Sequence, residues 1–185
     1  MGKWVVTYGI AAAGIMLAGR QAFLTGEYLL FAAVLAAVSA SDVRYRIVPD
    51  ALLAAALAVR AAYLAFCAIA PGEMQVQAGD CAGQVLQSIA GMLCLPAILA
   101  VAALLVRHTT GRISVGGGDV KLFAVAGAYF GLPAGLAVMF ASCLFALPIA
   151  AIQRLCDIRA GRCPDGTFPF APAIALACWA GMLAL

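Results

Sequence analysis

Residues 83–106 read GQVLQSIAGMLCLPAILAVAALLV, 24 positions without a charged side chain. As a helix this stretch rises about 36 Å at 1.5 Å per residue, enough to cross the roughly 30 Å hydrocarbon core of a bilayer. Working outward, further apolar runs cover 4–19, 28–42, 50–70, 119–131, 133–153 and 168–185, each bounded by charges or by Pro and Gly. The chain is 66% hydrophobic and 10% charged, whereas a soluble domain carries about 25% charged residues. It lacks the polar surface to cover itself in water. The expectation is an all-α, polytopic transmembrane helix bundle of six to seven helices, with residues 1–185 forming one integral-membrane domain and lipid as its solvent.

The charges that remain are spread over short loops. No dense basic patch forms, so no nucleic-acid partner is expected. They indicate topology instead. With the N-terminus in the cytoplasm, Lys3, Arg44, Arg46, Arg107, Arg112, Lys121, Arg154, Arg159 and Arg162 fall on that side and only Arg20 falls outside. The 71–82 loop, with Glu73 and Asp80, holds no basic residue. That asymmetry follows the positive-inside rule. Arg60 lies mid-span, where an arginine snorkels or pairs inside the bundle, and a structural role is expected. Lys3 before an apolar run resembles the start of a signal peptide, but the run ends in Leu-Ala-Gly-Arg without a small-x-small cleavage site, so an uncleaved first span is expected. The seven cysteines form no C-x-x-C pair and His108 is the single histidine. No metal site and no cofactor are therefore expected.

The same topology brings two charged motifs to the cytoplasmic face. One is Ser41-Asp42-Val43-Arg44-Tyr45-Arg46-Ile47-Val48-Pro49-Asp50; the other is Gly116-Gly117-Gly118-Asp119-Val120-Lys121. Asp42 follows apolar and small residues at a depth where an ionised carboxylate is expensive, and Arg44 and Arg46 are close enough in sequence to hold it charged. A helix-end aspartate paired with arginine is the simple alternative. Asp119 opens an apolar segment, the place of an N-cap aspartate, and a plain cap is the alternative there. Yet 119–131 spans only about 20 Å as a helix. The segment is therefore expected to start below the surface, with the glycine loop unwound inside the protein beside a wet cavity. Two carboxylates brought together share a proton. The ionised one can act as general base on a water while the protonated one polarises a carbonyl and assists the leaving amine. No Gly-x-Ser-x-Gly and no His-Glu-x-x-His is present.

At these residues the sequence resembles the type IV prepilin peptidases, membrane aspartic proteases of the Gly-x-Gly-Asp type. Asp42-Val43-Arg44 with Val48-Pro49-Asp50 is similar to the family's Asp-x-Arg and Ile-Pro-Asn. Gly116, Gly118, Asp119 and Lys121 match Gly-x-Gly-Asp-x-Lys in full. Pro169-Phe170-Ala171-Pro172 resembles a late Pro-Phe-Gly-Pro. The departures are Val48, Asp50 and Ala171. The similarity extends over roughly residues 28–180. It implies Asp42 and Asp119 as the catalytic pair, with Arg44, Pro49, Gly116, Gly118, Lys121, Pro169, Phe170 and Pro172 as supporting motif residues. It further implies cleavage of short basic leaders, after a glycine, from prepilin or pseudopilin substrates at the cytoplasmic face of the bacterial inner membrane. The chain lacks the C-x-x-C-bearing region of members that also N-methylate their product, so a processing-only enzyme is expected, like the compact peptidases of tight-adherence (Flp) pili. The rival from another class is a proton- or ion-coupled transporter subunit, in which intramembrane carboxylates carry ions. The two aspartates at one membrane face, with Gly-x-Gly-Asp, weigh against it. Gly127, Gly131 and Gly135 form a small-x-x-x-small series suited to close helix approach, interrupted by Pro133.

Overall fold

Apolar runs of helical length leave no other way to satisfy their backbone groups in lipid, and five helices account for nearly all of the structure. In this computed structural model, which describes residues 26–69, 81–111, 116–159 and 169–184, these are α1 (Gly26–Tyr45), α2 (Asp50–Ile69), α3 (Cys81–Thr110), α4 (Gly117–Arg159) and α5 (Ala171–Ala184). No strand occurs among the described residues. The predicted first segment, 4–19, lies outside them, as do Lys3, Arg20, Arg112 and Arg162. The described residues form five helical elements against the six to seven expected of the whole chain. Part of the difference is that two expected segments, 119–131 and 133–153, are joined in the single element α4. Four of the helices are long and apolar enough to cross a membrane; α5, at 14 residues, is not.

α4 is not straight. Gly131 adopts φ 70, ψ −174 in its middle, a left-handed conformation that favours glycine, and Pro133 follows without an N–H to give. The packing against α3 shows what the break does. Before it, Gly127 lies on Gly91 and Gly131 on Gln87, so the strands of contact run antiparallel; beyond it, Gly135 lies on Leu95, and the sense is reversed. α4 therefore turns back at Gly131 into two arms, 117–130 and 132–159. The expected glycine series is the seam: a Cβ on Gly91 or Gly127 would collide with the other helix's backbone, and one on Gly135 would come within 2.9 Å of Leu95. Small residues replace hydrophobic drive as the means of association here, because lipid is as apolar as a leucine.

The two arms meet different surroundings. The first is buried along most of its length, through Leu122, Phe123, Val125, Ala126, Tyr129 and Phe130, whereas the second exposes Phe140, Leu144, Leu147, Ile152 and Leu155. α5 packs chiefly against α4 and α1 and is buried on nearly every side, with Ile174, Cys178 and Trp179 at the centre of the core. The ring of Phe31 from α1 stacks on Tyr129 with centroids 3.9 Å apart.

Arg60 explains how the broken helix is held. It is buried, and its guanidinium donates to three elements: Nη1 to Glu27 Oε1 at 2.8 Å on α1, Nη2 to Ser88 Oγ at 3.1 Å on α3, and Nε to the Ala128 carbonyl at 3.0 Å on α4. Ala128 sits in the last turn before the break, where carbonyls lack a full set of intrahelical donors. A cation at that end also complements the helix dipole. The expected structural role of Arg60 is thus specific: it caps the first arm, with Glu27 as counter-ion and the rings of Tyr63 and Tyr129 each 5.5 Å away.

Candidate active site

Asp42 occupies the last turn of α1 and is buried. The helix ends through Arg46, which takes a left-handed φ of 54 and donates its N–H to the Asp42 carbonyl at 2.9 Å. This is the αL stop that glycine usually supplies. Ser41 Oγ then donates to the Ile47 carbonyl at 2.9 Å, folding the following residues back along the helix end. Val48 is held extended by the proline after it. The Pro49 carbonyl accepts from Leu52 and Leu53 to open α2, so Asp50 is that helix's first residue.

The glycine run behaves differently from expectation. Only Gly116 stands outside the helix; its carbonyl accepts from Asp119 at 3.1 Å and Val120 at 3.4 Å, and Gly117 and Gly118 are already in the first turn of α4. Asp119 is therefore the third helical residue, not the N-cap, and the loop is not unwound. The reason is that glycine can cap as well as permit a bend, which moves the start of the helix upstream. The Asp119 carboxylate folds back over Gly116, where an added Cβ would lie 3.3 Å from Oδ2, the placement of the returning carboxylate in a capping box. A Cβ on Gly117 would meet none of the described residues within 4 Å. A Cβ on Gly118 would press on Val48 at 2.9 Å. Here the glycine is required by close approach, and it brings the Asp119 turn against the segment that follows Asp42.

The third patch completes the convergence. Phe170 caps α5, accepting from Ala173 and Ile174, and the ring of Phe170 lies 6.2 Å from that of Phe123 on α4. The N–H of Ala171, the first residue of α5, donates to Asp42 Oδ2 at 3.0 Å. The Asp42 carboxylate thus sits at a helix N-terminus, where free N–H groups and the dipole favour negative charge. Ala171 is helical, so glycine is not needed at that place.

All three sequence motifs meet at one end of the bundle, and the charge of Asp42 acts on Asp119 across it. Among the expected supporting residues, Gly116, Gly118, Pro49 and Phe170 shape the backbone around the pair. Arg44 has its guanidinium over the Tyr45 ring at 4.9 Å, and Arg46 is the arginine whose charge acts on Asp42. Lys121 forms an ion pair with Asp50, Nζ lying 2.8 Å from both carboxylate oxygens. Sequence reasoning missed that pair and noted Asp50 only as a departure from the family's asparagine. The signal was there: an unexpected acid in the first motif and a lysine in the second. Among the described residues, no cluster of His, Cys, Asp and Glu is grouped to hold a metal ion.

A family model described as the type IV leader peptidase family matches residues 29–151, about two thirds of the chain. The chain belongs to the type IV leader peptidase family. The match takes in Asp42, Asp50, Asp119 and Lys121 and stops before the 169–172 patch, short of the expected 28–180. Leader-peptidase membership makes this a protease of the membrane with prepilin-type substrates as its general class, and its four long apolar helices fit a multi-pass leader peptidase. No curated protein and no solved structure gives a significant match to the chain.

Proposed function

We propose that this leader peptidase is an aspartic endopeptidase in which Asp42 and Asp119 form the catalytic pair. The observation that carries the reading is the meeting of the first and second motifs at one end of the bundle, with Asp42 held by the Ala171 N–H and the Asp119 turn seated on Val48. With one proton shared between them, the ionised carboxylate takes a proton from a water as its oxygen attacks the scissile carbonyl. The protonated partner hydrogen-bonds the carbonyl oxygen as negative charge develops there. Collapse of the tetrahedral intermediate breaks the C–N bond, and the proton passes to the leaving amine.

The substrates are prepilins or pseudopilins with short basic leaders, cut at the cytoplasmic face of a bacterial inner membrane. The basic residues of that face follow the positive-inside rule. The enzyme processes without N-methylating, as in tight-adherence pilus systems. Co-expression with a candidate prepilin tests the reading: leader removal is followed on a gel, and the intact mass of the product gives the cleavage position and any methyl group. Asp42→Asn and Asp119→Asn are each expected to abolish processing with insertion intact. Robust cleavage by either variant sinks the paired-carboxylate mechanism. Inactivity of the wild type on every prepilin of its own genome, with proton flux in liposomes, supports the transporter alternative instead.

A further inference from the structure

We propose that the Asp50–Lys121 ion pair is a positioning device that sets how the first turn of α4 presents Asp119 to Asp42, an inference that rests on the catalytic pair proposed above. Lys121 lies two residues beyond Asp119. Residues so spaced on a helix point about 200° apart and do not face each other. With Asp119 turned toward Asp42, the lysine is turned away, and its ammonium sits on Asp50 at 2.8 Å to both oxygens. Lys121 is therefore a positioning residue and not an electrophile in the reaction.

The anchor is needed because of what precedes Asp119. Three glycines, Gly116 to Gly118, impose little stiffness on the start of α4, and their packing against the first motif is the van der Waals contact of Gly118 with Val48. The ion pair adds a polar tie on the same face of α4, since Lys121 lies three residues after Gly118, and it runs from the first residue of α2 to the fifth of α4. Two contacts spaced along that face hold the turn against the first motif, where the glycine contact alone leaves it free to roll. Both side chains are well exposed, at 56% for Lys121 and 72% for Asp50. Such a pair adds little to global stability, so its loss leaves the fold intact, and salt screens it. Displacing a catalytic group by an ångström, in contrast, lowers rate up to about 100-fold.

Cleavage of a synthetic prepilin leader peptide by the purified full chain provides the test. Asp50→Ala and Lys121→Met are each expected to lower kcat about 10-fold with KM nearly unchanged, and the double variant to be no worse than either single. The exchange Asp50→Lys with Lys121→Asp restores most of kcat. Raising ionic strength lowers kcat of the wild type and leaves the single variants flat. Wild-type kcat in the single variants, a loss confined to KM, or an exchange no better than the singles overturns the proposal. A second measurement does not depend on proteolysis: in Asp42→Cys/Asp119→Cys, the yield of the cross-linked peptide is read by mass spectrometry with and without Asp50→Ala. A several-fold fall is expected, and an equal yield overturns the proposal. If the wild type cleaves no leader while the cross-link yield falls, the protease reading fails and the positioning role stands.

Discussion

Among the described residues, charge is buried in two places, and they are built in opposite ways. In the interior, Glu27 and Arg60 are joined at 2.8 Å, and the guanidinium's other nitrogens are taken up by Ser88 and Ala128. At the end of the bundle, Asp42 acts on Asp119 with like charge, and Asp42 accepts a hydrogen bond from a backbone N–H. Opposite charges in a low dielectric settle into a fixed neutral knot. Like carboxylates exchange a proton and can do chemistry. The first arrangement holds helices; the second is where the proposed mechanism puts its chemistry.

The comparison breaks first at the carboxylates. Asp119→Asn should lower the cleavage rate at least about 1,000-fold while leaving resistance to SDS unfolding unchanged; a variant that also unfolds early would make the pair structural. Next in size is Arg60→Met, which strands Glu27 and uncaps the first arm of α4. It should cost about 3–5 kcal/mol of stability in the same unfolding assay. Removing both partners, Glu27→Leu with Arg60→Met, sharpens the point: the double variant should recover at least about 1 kcal/mol relative to the arginine single. No equivalent recovery is expected for activity in the Asp42→Asn/Asp119→Asn double. The smallest effect is for Gly131→Ala, expected to cost about 1–3 kcal/mol from the positive-φ backbone alone, read as a shift of the unfolding midpoint.

Much of the fold was legible because apolar runs in a bilayer have so few options. The limits of 28–42, 50–70 and 83–106 fall within a few residues of α1, α2 and α3. The break in α4 was anticipated from Pro133, but the pivot is Gly131, two residues earlier; a proline removes a donor, and only the glycine supplies the φ that turns the chain. The glycine seam was also legible, since small residues at fixed spacing leave few other uses. The two aspartates and their motifs stood out as charge where charge is costly. What distance in sequence concealed were the pairings. Glu27, one residue before the second segment, drew no reading, and Arg60 was expected to snorkel or pair inside the bundle without a named partner. The left-handed end of α1 at Arg46 is a conformation that an arginine does not advertise. Asp119 as third residue rather than cap followed from a glycine taking the capping place.

The hydrogen bond from Ala171 to Asp42 joins positions 129 apart, and it has a consequence for the order of assembly. A ribosome delivers α1 early and α5 only after α4 is made, so the nascent chain carries Asp42 through most of synthesis without the backbone donor that seats it. The site cannot close until the last of these helices docks into the core. Under the proposed mechanism, the carboxylate pair is complete only once the chain's last described helix has docked.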